Sequence, residues 1–247
     1  MIKILKLKKP TIKKEGKSFS LTNRDLLLPY MVPYLVYVFI ASFLGPKVSA
    51  EIEYGIKIIV VPAVIAWAWR WYIPFKGPKN QYVSAFIGIV VGLLGCIVWV
   101  LLVKPFIDPN MGEIWNQTAF YLRVLSASLI VPVFEEMFIR GYIFRVALQW
   151  DQARKAKIKR PFEKALDQSC INNSDPGIWS LWPIFISTIA FTLGHHTNEW
   201  LAAFVYGLII ASLLIMRKDM LSCIIAHGTT NFALAFYVKL SGQYGLW

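Results

Sequence analysis

The sequence predicts an all-α fold: a polytopic membrane helical bundle of about seven transmembrane helices, with roughly six to eight as the range. Three observations predict it. Of the 247 residues, 57% are hydrophobic, above what a soluble domain carries. Apolar runs approaching about twenty residues recur, broken by turn residues and charges. The basic residues gather between runs, on one side of the expected bundle.

The order of elements follows from these runs. Residues 1–25 form a basic cytoplasmic tail; seven lysines and one arginine crowd residues 1–24 against Glu15 alone. Residues 26–116 hold the first three spans, Leu26 to Leu44, Ile56 to Pro74 and Tyr82 to Val103. The first run is longer than the core of a signal peptide, so Val48-Ser49-Ala50 is read as a loop and the run as an uncleaved anchor. Trp67, Trp69, Trp71 and Tyr72 end the second run, where aromatic rings suit the membrane interface. Gly88, Gly92 and Gly95 let the third helix pack closely within the chain. Lys104 to Asn116 is a turn-rich link containing Asp108-Pro109-Asn110.

Residues 117–238 carry four further spans and a polar loop over 145–177. The fourth starts near Gln117, with Pro132 bending it before two glutamates. Ile178 to Gly194, Trp200 to Met216 and Met220 to Val238 follow, and 239–247 is a short tail. The basic loops at 70–81, 145–177 and 217–219 share a side with the amino terminus. The opposite loops carry few basic residues, among them Lys47, Lys57 and Lys104. The chain is thus expected to be integral to a prokaryotic cytoplasmic membrane, its amino terminus in the cytoplasm and its carboxyl terminus outside.

Charge and cysteines narrow the function classes. The net charge of +12 lacks the aromatic-basic groove of a nucleic-acid module, so no nucleic-acid partner is expected. Attraction to a bilayer with anionic headgroups accounts for it. Cys96, Cys170 and Cys223 are odd in number and without metal-like spacing, so they read as small apolar residues.

The chemistry concentrates in Val131 to Tyr142, VPVFEEMFIRGY. Carboxylates at membrane depth are expensive and mark a site. Neighbours on a helix point about 100° apart, whereas residues four apart share a face. Glu136 can therefore pair with Arg140 while Glu135 faces a cavity. The three histidines, His195, His196 and His227, all lie in or beside apolar runs. Phe191 is four residues before His195, and Asn231 four after His227, so each pair shares a face. A carboxylate held from water makes a good general base near neutral pH, and a His/Asn pair can donate to a developing oxyanion. No G-x-S-x-G stands near a histidine and no H-E-x-x-H is present. Water attacking a peptide carbonyl suits these residues best.

Glu135-Glu136-x-x-x-Arg140-Gly141, Phe191-x-x-x-His195 and His227-x-x-x-Asn231 resemble the three motifs of the CAAX prenyl endopeptidase and bacteriocin-processing (CPBP, Abi) family of glutamate intramembrane proteases. The resemblance covers about residues 118–238. It implies that Glu135 activates water, His195 positions it, and His227 with Asn231 binds the oxyanion. Glu136, Arg140 and Phe191 would be supporting residues. His196 matches no motif and reads as interfacial. The implied activity is an intramembrane endopeptidase cutting near the cytoplasmic face, close to the C-terminus or leader of a membrane-associated peptide or lipidated protein. No cofactor is implied, although Glu135, Glu136, His195 and His227 leave a divalent metal open. The alternative is a non-proteolytic binding or bacteriocin-immunity protein on the same scaffold. The expected depths conflict: Glu135 lies near the cytoplasmic end of span four, whereas His195 lies near the outer end of span five.

Overall fold

A computed structural model describes residues 21–108, 112 and 115–247. The basic tail through residue 20 and the Pro109-Asn110 turn lie outside the described residues. Helices account for most of the described residues, and no strand occurs among them.

Helix α1 (Asn23–Phe39) starts on a capping box, in which Thr22 and Asp25 exchange side-chain and backbone hydrogen bonds. A π-helical turn, Ile40–Leu44, extends it. Helix α2 (Ala50–Ala68) begins six residues before the expected span. Its first turns carry charge, which hides them from an apolar window. Lys57 is nevertheless buried inside the helix, paired with Glu53 at 2.5 Å and lying over the rings of Tyr37 and Tyr54. Lys57 is thus a helical residue with its charge matched, not a loop cation.

Helices α3 (Gln81–Val103) and α10 (Met220–Ser241) lie along one another. The glycines make this possible: a Cβ on Gly92 would fall 2.5 Å from the Ala226 carbonyl oxygen and 2.6 Å from the Thr229 Cβ. Helices α8 (Leu181–Leu193) and α9 (Trp200–Arg217) pack as a neighbouring pair. Among the described residues five helices are long and apolar enough to cross a membrane: those over Asn23–Lys47, Ala50–Trp71, Gln81–Phe106, Thr197–Arg217 and Met220–Ser241. Leu181–Leu193 is apolar but shorter. The protein is an all-α polytopic membrane bundle, and its outward apolar side chains, such as Phe86, Leu94, Ile97 and Leu101 on α3, suit lipid.

The stretch that carries the glutamates is the unusual one. Residues 117–155 run as one helical stretch made of α4 (Gln117–Leu125), a π-helical turn (Ser126–Ile130), α5 (Val131–Glu136), a second π-helical turn (Met137–Ile143) and α6 (Phe144–Lys155). The stretch therefore continues well past the glutamates, and this removes the depth conflict. Helix α8 runs back beside α6, and Trp150 meets Trp182 with ring centroids 5.9 Å apart. Glu135 lies fifteen residues before Trp150, and His195 thirteen after Trp182. At about 1.5 Å per residue these are roughly 22 and 20 Å. Both reach the same depth.

The 145–177 segment is ordered rather than a loose loop. It contains the end of α6, helix α7 (Pro161–Asp167) and a 3-10 turn, Ile171–Asn173. Buried Asn23 ties it to α1, donating to the Gln149 side chain at 2.6 Å and the Ala165 carbonyl at 2.7 Å, and accepting from the Ile171 N–H at 2.6 Å. At this end the links 69–80, 156–180 and 217–219 meet: the Met220 N–H donates to Phe75 O, and Lys79 Nζ to Met216 O. The opposite end gathers Glu51, Asn116, Glu199 and Trp247 and is poor in basic side chains.

Candidate active site

The site begins with a backbone irregularity. In the π-helical turn before α5 the Val131 N–H bonds to the Ser126 carbonyl, five residues back. Continued for one residue, that register would join position 132 to Ala127. Position 132 is proline and has no N–H. The Ala127 carbonyl is left free, and Asn231 Nδ2 on α10 donates to it at 2.8 Å. One residue on, the Ser128 carbonyl sits against Gly228, where any Cβ would collide with it. Pro132, Gly228 and Asn231 together dock α10 against the irregular turn.

Helix α5 then presents its two acids in different directions. Glu136 is fully buried and its Oε1 accepts from Arg140 Nη1 at 3.2 Å and from His227 Nδ1 at 2.9 Å. Arg140 is equally buried. Its Nη2 donates to the Gly207 carbonyl at 3.3 Å, and its guanidinium lies 4.6 Å from the Phe191 ring centre. Removing two opposite charges from water is costly, and these contacts offset part of that penalty; among the described residues Glu136 Oε2 and Arg140 Nε have no hydrogen-bond partner. Glu135 turns instead toward a cavity, with Oε2 3.8 Å from His227 Nε2. One imidazole thus stands between both carboxylates.

His195 follows the end of α8. Its Nδ1 lies 2.9 Å from the Phe191 carbonyl oxygen. A carbonyl only accepts, so Nδ1 carries the proton, and in the neutral ring Nε2 is an acceptor. Phe191 packs on His195 at 4.6 Å, and Trp99 on it at 5.3 Å. Trp200 Nε1 donates to the His195 carbonyl at 3.1 Å. The ring is fixed on three sides.

Glu135, His195, His227 and Asn231 line one cavity of about 260 Å³. Asn231 enters it with one amide N–H already given to Ala127. His196 is exposed and caps the Thr197–Glu199 turn, with its N–H on Glu199 Oε2 at 3.1 Å. Among the described residues no three His, Cys, Asp or Glu side chains are placed to hold a metal ion.

Trp99, Tyr206 and Thr230 support the site and belong to no motif. Trp99 contributes the stacking face for His195. The Tyr206 hydroxyl and Thr230 Oγ1 are 2.9 Å apart, and Thr230 Oγ1 is 2.8 Å from the Gly92 carbonyl, joining α9, α10 and α3 behind His227. A tyrosine midway along an apolar helix is the signal that marks Tyr206 in the sequence.

Residues 117–233 match the family model described as type II CAAX prenyl endopeptidase Rce1-like. This segment is similar to that family. It contains Glu135, Glu136, Arg140, Phe191, His195, His227 and Asn231, the residues that carry the resemblance in the sequence. The CAAX family it points to is one of intramembrane proteases. The Rce1-like segment leaves α1 to α3 outside the match, including Trp99. No curated protein and no solved structure matches the chain.

Proposed function

We propose that the chain is a glutamate-type intramembrane endopeptidase. The observation that carries this reading is that Glu135 and His195 line one cavity, with His227 held between Glu135 and the Glu136–Arg140 pair. A water in the cavity gives one hydrogen bond to Glu135 and one to the His195 Nε2 acceptor. Its oxygen attacks the peptide carbonyl carbon while its proton passes to Glu135. The resulting oxyanion is held by the remaining Asn231 N–H and, when the ring carries both protons, by His227 Nε2–H. Collapse breaks the C–N bond, and the leaving nitrogen takes the proton from Glu135. Glu136 and Arg140 orient His227 and touch no substrate.

The substrate is a peptide segment of a membrane-associated protein, near its C-terminus or its leader, with or without a lipid anchor. The basic end of the bundle is the cytoplasmic one by the positive-inside rule, which puts the amino terminus in the cytoplasm. The rim residues Tyr54, His196, Glu199 and Trp247 belong to the opposite end, so the cut segment enters from the extracytoplasmic side rather than near the cytoplasmic face.

The test uses the purified protein in lipid nanodiscs, a randomised peptide mixture and water enriched in heavy oxygen. Hydrolysis places one heavy oxygen in each new carboxyl group, read by mass spectrometry. Glu135→Gln should lower cleavage by about 10²- to 10⁴-fold, the usual worth of a general base. Wild-type rates in that variant would remove Glu135 from the role.

A further inference from the structure

The cavity is also lined by a cation that hydrolysis does not use. Arg123, on α4, lines it together with Glu135. Its guanidinium lies 4.0 Å from the ring centre of Trp115 and 4.4 Å from that of Trp247. These two rings are nearly perpendicular, at 83°, and form a corner. Among the described residues the Arg123 side chain makes no ion pair and no hydrogen bond, although Glu51, Glu53 and Glu199 all lie at this end of the bundle. Glu51 and Glu53 already have partners in Asn116 and Lys57, and Glu199 accepts from the His196 N–H. An aromatic corner fixes a guanidinium without using its N–H groups, which stay available for a carboxylate.

We propose that Arg123 is the anchor for a carboxylate of the substrate peptide, and thereby sets where the chain is cut. This rests on the endopeptidase reading. Arg123 and Glu135 are twelve residues apart on one helical stretch, about 18 Å along its axis at 1.5 Å per residue. Extended peptide covers that in about five residues at 3.3–3.6 Å each, and fewer once the length of the arginine side chain is counted. The scissile bond therefore lies about three to five residues from the bound carboxylate. A guanidinium fork accepts two oxygens at once, so the ligand is a terminal α-carboxylate or the side chain of an aspartate or glutamate.

The probes are randomised decapeptides with a free C-terminal acid and no internal acid, the same mixture amidated, and an amidated mixture with one internal aspartate. Wild-type cleavage in nanodiscs is mapped by mass spectrometry. The free-acid mixture should be cut at a fixed distance from its end, at least tenfold faster than the plain amide. Rescue of the amide by internal aspartate would assign the carboxylate to a side chain. Arg123→Gln should abolish the acid-over-amide ratio, and Arg123→Lys should keep part of it. Binding is measured separately on Glu135→Gln protein, by quenching of tryptophan fluorescence. There the acid mixture should bind more tightly than the amide, and adding Arg123→Gln should erase the difference. This second arm reads the anchor even if no cleavage occurs, so it stands apart from the proteolytic reading. An unchanged acid-over-amide ratio in Arg123→Gln, in cleavage or in binding, overturns the proposal.

Discussion

Asn231 reaches across from α10 to the carbonyl of Ala127, 2.8 Å away, and that acceptor is free because Pro132 has no N–H. The contact makes the amide both a lining group of the cavity and a patch for a broken helix. Asn231→Ala should therefore destabilise the protein by about 0.5–1.5 kcal/mol, the net worth of a partly buried hydrogen bond. In a Pro132→Ala background the missing N–H returns, and the same change should cost less. Equilibrium unfolding of the four proteins in mixed micelles reads this coupling, expected at about 0.5–3 kcal/mol.

Arg140→Ala should be among the most damaging changes in the chain. It leaves the fully buried Glu136 without its counter-charge, a loss of about 3–5 kcal/mol. Replacing both members, Arg140→Met with Glu136→Leu, should recover much of the stability while leaving His227 without its carboxylate acceptor. Unfolding midpoints and peptide cleavage, measured on the same preparations, would separate the two effects: stability restored, activity not.

Gly92→Ala inserts a methyl where the Ala226 carbonyl oxygen is 2.5 Å away. Overpacking of this kind costs about 1–3 kcal/mol. Gly55→Ala is the control, since nothing stands within 4 Å of its Cβ. That change should be neutral or stabilising by up to about 1 kcal/mol, through helix propensity. Thermal midpoints in detergent would rank the two variants on opposite sides of wild type.

The polar segment beyond the membrane predicts an acid limb of stability. Burial pushes the Asp151 carboxyl up, but hydrogen bonds from Lys155 and Arg154 outweigh it and hold it at about 2, below its ordinary 3.8. A lowered carboxylate stabilises the fold fully above its ordinary value and loses that contribution as pH falls toward 2. Unfolding midpoints should drop between about pH 4 and pH 2 in wild type, and the drop should shrink in Asp151→Asn.

The three motifs were legible because each consists of residues four apart inside apolar helices, where spacing alone decides which side chains share a face. Glu136 with Arg140 and Phe191 with His195 meet as that rule requires. The membrane class was legible from apolar run lengths. The start of α2 was not, because Glu53 and Lys57 break an apolar window while cancelling one another in space. Nor was the extent of the glutamate helix: past Tyr142 its apolar pattern gives way to arginine, glutamine and aspartate. Those residues stay helical because they pack on α8 and on the α1 entry rather than on lipid. The π-helical turns left no compositional trace, so the release of the Ala127 carbonyl and the second task of Asn231 could be read only from the structure. Arg123 carried no motif, and its meaning comes from Trp247, more than a hundred residues away.

The most direct test of the central claim compares peptide ends in membranes and medium from cells carrying wild type or Glu135→Gln at equal protein levels. Mass spectrometry of both fractions gives the ends. A new end present with wild type and absent with Glu135→Gln is the predicted result, and it would name the substrate as well. Identical sets of ends, in cells where the variant fully complements a deletion, would contradict hydrolysis at Glu135 and favour a membrane binding or immunity protein.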